Sequence, residues 1–481
     1  MKTVLNLVPY PQKAEVHDDI YCQEMEVSAL ETALYGKEGY LLNISEKEIR
    51  MEGSKAGIFY AERTLEQLRI QFGNRLPSME IMDQPRFTYR GFMLDSSRHF
   101  LPKQDVLKLI DAAAYFKLNK MHWHLVDDQG WRIQIDAYPK LTETGSSAYY
   151  TKEDIRDIVT HANDKMIDII PEIEIPGHES AMIAAYPSAG CKGEKVKVQT
   201  RGGIFDNLIC VGREENWNFL TAILDEIMEM FPYQFIHIGG DEACKKKWRD
   251  CPDCQKKLKE LGLKDENALQ QWFVVKTKKY LEQHGKKVVV WNDALRGDKL
   301  DSDCVVQAWM GDRGLITDFA RRGGNIINSD NNCYYLDYPY FMSDAHKILN
   351  TDPYPEYLDE ELYKAVLGLE CPLWTERVPD IETAAYLLFP RLPAMAECAW
   401  TLEPARNNAS FYDRYEGVSD YLNNRGLQGA PRDHWHITGE TAEKDKERYD
   451  AMMNKPENKK AMELDEAIME EERAIYGNEM D

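Results

Sequence analysis

Eight short apolar runs, each separated from the next by a helix-like stretch, constrain this 481-residue chain more than any other feature. They lie at residues 91–94, 120–126, 167–175, 235–238, 287–291, 304–309, 325–328 and 366–374. Runs of this length, bounded by polar or glycine-rich segments, read as buried strands. Helical periodicity fills the intervals at 103–116, 153–161, 217–230, 268–283 and 381–399. The alternation predicts an α/β fold, a (β/α)8 TIM barrel, which takes about 250 residues or more. Polar residues follow nearly every run: Asp95 and Arg98, Asp127 and Asp128, Glu174 and His178, Asp241 and Glu242, Asn292 and Asp293, and Glu376. Barrel enzymes build their sites at the C-terminal ends of the strands, so the same pattern predicts a site.

The remainder of the chain divides around that barrel. Residues 1–83 mix short alternating segments with one helical stretch at 56–72, which predicts a small α+β domain. Pro85 disfavours helix before it and marks the boundary. The barrel is expected over 84–426. Residues 427–481 turn rich in Glu, Lys and Asp with methionines, and predict an acidic tail that is a solvated amphipathic helix or partly mobile.

A net charge of −23 argues against nucleic acid or an anionic membrane as partner, because both would repel the chain. The apolar opening Met1 to Val8 is cut by Pro9 and Pro11 and lacks the pattern of a signal peptide. A cytoplasmic protein is therefore expected, or an extracellular one if a leader was removed. With 10 Trp, 26 Tyr and 15 Phe, the aromatics suffice for a large core and suggest a ring-stacking cleft. Ten scattered cysteines point to reduced thiols. Cys251-Pro252-Asp253-Cys254 has the spacing of half a zinc ribbon or a redox motif, but no second pair follows at ribbon spacing. No metal or cofactor is expected on these grounds, and oligomeric state is left open.

The segment Phe235-Ile236-His237-Ile238-Gly239-Gly240-Asp241-Glu242 carries the sharpest chemical signal. A buried strand stops at two glycines and two adjacent carboxylates. Neighbouring residues of a strand face opposite ways, so both acids reach one cavity only if the strand end kinks, which the glycines permit. A carboxyl pair at a strand end is the usual setting of general acid chemistry. The alternative is a pair of acids that merely caps the helix after them. A rival of another class is a metal-dependent barrel hydrolase, since His122 and His124 share a strand face and His178 and His237 end other strands. The His-x-His pair lies in the second strand within a buried run, which weighs against it. A catalytically silent sugar-binding protein is a second rival.

Six segments stand in order along the chain: Tyr89 to Asp95 with Arg98-His99-Phe100, His122 to Trp131, Pro171 to His178, His237 to Glu242, Tyr335-Leu336-Asp337 and Trp374-Thr375-Glu376. Through them residues 83–403 resemble family 20 glycoside hydrolases, the β-N-acetylhexosaminidases. The N-terminal segment matches more weakly, around Phe59 to Leu65. The resemblance implies an exo-acting enzyme that releases terminal β-linked GlcNAc or GalNAc from glycans by substrate-assisted catalysis. A retaining glycosidase of the ordinary kind needs two carboxyl groups about 5 Å apart across the sugar, whereas this family is an exception to that rule. The substrate's 2-acetamido oxygen attacks C1 and forms an oxazolinium. By resemblance Glu242 is the general acid and base, Asp241 orients the acetamido group, and Tyr335 donates to its oxygen. His178 and Asp127 are implied as a relay behind Glu242. Arg98, Asp337 and Glu376 are implied as contacts to sugar hydroxyls, and Trp291, Trp309 and Trp374 as the aromatic wall. Trp291-Asn292-Asp293 departs from the Trp-Asp-Glu form common in the family. A lacto-N-biosidase-like or sulfated-GlcNAc-specific relative is the alternative within the class.

Overall fold

The computed structural model describes residues 3–22, 26–144, 148–297 and 300–476. Five strands open the chain: β1 (Lys13–Tyr21), β2 (Glu26–Glu31), β3 (Tyr40–Ile44), β4 (Glu48–Gly53) and β5 (Pro77–Asp83). They form one sheet in the order β1-β5-β3-β4-β2, antiparallel except where β2 meets β4. The helix Lys55–Phe72 starts where the Ser54 hydroxyl accepts the Gly57 N–H at 3.1 Å, satisfying one of the unpaired first-turn donors. It buries Tyr60, Ala61, Thr64, Leu65 and Leu68 against this sheet. Asp83, at the end of β5, accepts from Lys117 and from the Trp400 indole, both at 3.0 Å, so a buried ion pair fastens this domain to the body behind it.

That body is a closed barrel of eight parallel strands: β6 (Tyr89–Asp95), β7 (Lys120–His124), β10 (Asp168–Glu172), β11 (Phe235–His237), β12 (Lys287–Trp291), β13 (Val305–Ala308), β14 (Asn325–Asn328) and β15 (Val366–Leu373). A small antiparallel hairpin, β8 (Val126–Asp127) with β9 (Gly130–Trp131), follows β7 at its C-terminal end. Each barrel strand coincides with one of the apolar runs in the sequence. The helices match as well, with one difference. The stretch at 381–399 is two helices, Ile381–Leu388 and Arg391–Trp400, because Pro390 has no N–H to continue the first.

The strand period of two stacks the barrel interior in layers. Tyr89, Ile170, Val289, Val305 and Ile327 form an apolar floor. Two residues further along the same strands lie Glu172, Trp291 and Gln307, and with His122, His237 and Glu370 they make a second, polar layer. Glu172 lies 2.7 Å from His237 Nδ1 and 2.9 Å from His122 Nε2, and accepts the Trp291 indole N–H at 2.8 Å. Glu370 takes His122 Nδ1 at 2.8 Å and the Gln307 amide at 2.6 Å. Burial works against these charges, yet the mutual pairing prevails. It lifts His122 to about 9 and holds Glu172 well below the usual carboxylate range.

The acidic tail is helical, as Gly439–Met453 and Pro456–Tyr476, but the second helix is not solvated all round. It lies across the C-terminal face of the barrel. Arg249 pairs with Glu472 at 2.9 Å and Glu471 at 2.8 Å, Tyr476 donates to Glu266 at 2.7 Å, and Asp465 accepts from the Ile204 N–H at 3.0 Å and Arg201 at 3.3 Å. Among the described residues no helix is long and apolar enough to cross a membrane.

Candidate active site

A cleft of about 650 Å³ opens at the C-terminal ends of the barrel strands. Every site residue named from the sequence lines it: Arg98, Asp127, His178, Asp241, Glu242, Trp291, Trp309, Tyr335, Asp337, Trp374 and Glu376.

The two acids follow β11 after two residues in left-handed backbone, Gly239 at φ 63° and Gly240 at φ 99°. A Cβ on Gly239 would stand 1.9 Å from the Glu174 carboxylate, so only glycine fits where the strand turns. Glu242 itself adopts φ 43°, a strained value for an L side chain. The kink brings both acids to one side, where His178 Nε2 lies 3.7 Å from Asp241 Oδ2 and 3.7 Å from Glu242 Oε2. Glu242 keeps 29% of its side chain exposed and can be reached from the cleft. Asp241 is more enclosed, and its Oδ1 is buried without a hydrogen-bond partner among the described residues. Burial, then the charges of Asp241 and Asp293 against the pull of His178, pushes Glu242 up to about 7. Burial likewise raises Asp241 to about 7, with His178 opposing and Glu172 and Asp293 adding to it. Both groups thus titrate near neutrality.

Behind the acids, His178 Nδ1 lies 3.2 Å from Asp127 Oδ1 and 3.3 Å from Asp128 Oδ2. The two aspartates divide their other duties. Asp127 also receives Arg98 at 2.7 Å, while Asp128 accepts the Ser180 N–H at 2.9 Å and holds the loop carrying His178. Both pairings hold His178 protonated against burial, well above its ordinary value. Arg98 is held by its neighbours on several sides. Its guanidinium is clamped by Asp127, by Gln129 at 3.0 Å and by Asp95 at 3.4 Å, and its charge sits 4.9 Å over the Trp374 ring. It is a structural ion pair that also faces the cleft.

The aromatic wall is anchored residue by residue. Trp291 is pinned from below by Glu172, in the polar layer of the barrel. Trp309 donates its indole N–H to Asp293 at 2.8 Å and stacks on Tyr335 at 6.2 Å with ring planes 13° apart. Trp374 stands 6.0 Å from Trp291 and 6.2 Å from Tyr335, closing an apolar slot. The unusual Asn292-Asp293 pair has a structural account. Asn292 bridges Asp312 and the Met310 carbonyl, both at 2.9 Å, and accepts the Trp309 N–H at 3.0 Å, while Asp293 orients the indole. At the opposite rim Asp337 has one oxygen without a partner among the described residues, and burial with the nearby Glu376 raises it to about 7.

His122 and His124 lie beneath the cleft rather than on it. Both nitrogens of His122 face carboxylates, and those of His124 face Asp95 at 3.5 Å and Glu174 at 3.2 Å. Both histidines of the His-x-His motif are thus engaged with buried carboxylates. Two contributions to the cleft were missed in the sequence. Arg201 and Gly202 come from the long loop after β10, and Met453, Ala461, Met462 and Asp465 come from the tail. No local pattern signals either, since both reach the cleft through contacts distant in sequence.

Comparison with known proteins places this architecture. Residues 87–403 match the sequence profile "Glycosyl hydrolase family 20, catalytic domain", and residues 2–84 match "Glycosyl hydrolase family 20, domain 2". A beta-hexosaminidase of Porphyromonas gingivalis is 36% identical over 432 residues, covering 83% of this chain and 55% of the relative. One from Akkermansia muciniphila is 30% identical over 440 residues, covering 84% and 88%. The chain therefore spans about half the length of the first relative and most of the second. Among solved structures, a beta-N-acetylhexosaminidase of Bacteroides fragilis superposes with a TM-score of 0.80 at 29% identity, over 88% of this chain and 97% of that one. An exo beta-N-acetylglucosaminidase of Vibrio harveyi in complex with N-acetylglucosamine gives 0.81 at 28% identity, over 91% and 80%.

Proposed function

The chain belongs to glycoside hydrolase family 20, and from that premise we propose that it is a retaining, exo-acting β-N-acetylhexosaminidase using substrate-assisted catalysis. It removes a terminal β-linked GlcNAc or GalNAc from a glycan. The observation that carries the reading is the adjacency of Asp241 and Glu242 in one cleft, with Asp241 Oδ1 buried and unpartnered. An orphaned buried acceptor costs about 1–3 kcal/mol unless a ligand fills it, and an acetamido N–H supplies the missing donor.

In the first step Asp241, ionised, accepts the acetamido N–H and turns the carbonyl oxygen toward C1. Tyr335 donates its O–H to that oxygen and fixes its direction. The C1–oxygen bond to the leaving group breaks as the oxazolinium ring closes. Glu242, protonated near neutral pH because it is buried beside Asp241, gives its proton to the departing oxygen. In the second step the Glu242 carboxylate takes a proton from water, which opens the ring at C1 with net retention. His178, held protonated by Asp127 and Asp128, balances the charge of the acid pair. The indoles of Trp291, Trp309 and Trp374 enclose the acetamido methyl and one face of the ring. Arg98, Asp337 and Glu376 take the hydroxyls at the far rim.

Hydrolysis of matched aryl β-GlcNAc, β-GalNAc and β-glucoside substrates tests the proposal. Turnover of the first two and none of the third is expected, because a glucoside has no acetamido nucleophile. A thiazoline mimic of the oxazolinium should inhibit strongly. Glucoside turnover at a comparable rate, or indifference to the thiazoline, would overturn substrate assistance.

A further inference from the structure

Cys251 and Cys254, left without a partner pair by the sequence, have one in the fold, upstream rather than downstream. Cys191 and Cys210 lie in the long loop after β10, and all four sulfurs come within 4.8 Å of one another. The closest separations are 3.8 Å for Cys191–Cys254, 3.7 Å for Cys210–Cys251 and 3.7 Å for Cys210–Cys254. Four thiolates about 2.3 Å from one zinc ion at tetrahedral angles stand about 3.8 Å apart, so these spacings are those of a tetrahedron's edges. A disulfide would need about 2.05 Å. All four cysteines are buried, as in closed structural sites with no open coordination position.

The surroundings are built for thiolates. Arg213 lies against the quartet, donating to the Cys191 carbonyl at 2.8 Å and to Asp253 at 2.7 Å. Cys251 caps the helix Pro252–Glu260, which turns its N-terminal dipole toward the sulfurs. Both offset the double negative charge of a zinc tetrathiolate. The loops are also tailored to meet. A Cβ on Gly212 would lie 2.2 Å from the Asp253 carbonyl carbon and 2.5 Å from Cys254 N, so only glycine allows the approach. The Cys210 N–H donates to the Ala189 carbonyl at 2.7 Å, and the Trp248 indole to that of Ile209 at 2.9 Å, fixing both loops.

We propose that Cys191, Cys210, Cys251 and Cys254 bind one structural zinc ion, which staples the long loop after β10 to the segment that follows the catalytic acids. Binding converts the four thiols to thiolates and releases their protons to solvent. None of the four lines the cleft, so the metal takes no part in turnover. Its effect is positional. One loop carries His178 and Arg201, the other begins with Asp241 and Glu242, and the staple joins them on the side away from the substrate.

Elemental analysis of the purified full-length protein, freed of adventitious metal by gel filtration, tests the site. About one zinc per chain is expected, released by an organomercurial in step with loss of cysteine thiols. Exchange for Co2+ should give the visible bands of a tetrahedral cobalt thiolate. Cys254→Ser and Cys191→Ser should lose the zinc, while Cys304→Ser, outside the quartet, should retain it. Because the quartet variants also risk misfolding, the native-protein measurements stand by themselves. Metal-free native protein with four free thiols in the quartet, two disulfides by mass, iron in place of zinc, or full zinc in the quartet variants would each overturn the assignment.

Discussion

The inner wall of the cleft hangs from strand ends and rests on a buried layer of paired His and Glu side chains, whereas its outer wall is one helix clipped on from the tail. The contrast is quantitative. Glu172 and His122 under the inner wall are 0% and 1% exposed, while of the residues that hold the helix Arg249, Glu471 and Glu472 are 19%, 41% and 9% exposed. Breaking a buried pair leaves an uncompensated charge and costs about 3–5 kcal/mol, but exposed pairs contribute about 0.2–1 kcal/mol each. Chemistry therefore sits on the part of the barrel that does not yield, and the outer wall is free to shape access.

Variants on the two walls should separate along that line. The largest effect is expected for Glu242→Gln, a loss of about 10²–10⁴ in kcat/KM on substrates with poor, sugar leaving groups. Activated aryl glycosides, which need no proton, should suffer less, and equal losses on both would remove the acid role. In the unaltered protein kcat/KM should peak near pH 7, falling above it as Glu242 loses its proton and below it as Asp241 gains one. Asp241→Asn should cost about 10²–10³ in kcat, the scale of losing one positioning contact to developing charge. It should also move the alkaline limb to lower pH, since the Asp241 charge helps hold the Glu242 proton. An unmoved limb would uncouple the two acids.

Glu172→Gln tests the support rather than the chemistry. Leaving the buried His122 cation without one of its counter-charges should lower unfolding stability by about 3–5 kcal/mol in a urea titration. A change under 1 kcal/mol would make the polar layer dispensable. The smallest effect belongs to the outer wall. Arg249→Ala, which takes a partner from both Glu471 and the largely buried Glu472, should cost less stability than Glu172→Gln and leave kcat on aryl glycosides unaltered, while KM for extended glycans changes. A large fall in kcat would show that the helix positions the acids and would erase the contrast.

The same division governs what was legible in the sequence. Strands such as Lys287–Trp291 announce themselves because burial on both faces demands an unbroken apolar run, and the polar residue just beyond each one marks the cleft. Asp241 and Glu242 were readable from two glycines, since only a kinked strand end needs them. What escaped depended on contacts far apart in the chain. Glu471 and Glu472 look like solvent-facing charges until Arg249 and Lys246 meet them, and Cys251-Cys254 looks incomplete until the loop after β10 delivers Cys191 and Cys210. Asn292 looked like a departure from the family wall, yet it supports Trp309 through Asp312 and Met310.

The left-handed backbone at Glu242 has a consequence for how such an enzyme ages and varies. Its acid occupies a conformation that side-chain-bearing residues resist, and burial makes its carboxylate unwelcome at every pH above the value it has in the unfolded chain. The turn at the heart of the site is thus a place where the folded protein can gain stability from a change of residue. A drifting lineage released from its substrate would lose this glutamate early, and the relic would be a sturdier protein than the enzyme it came from.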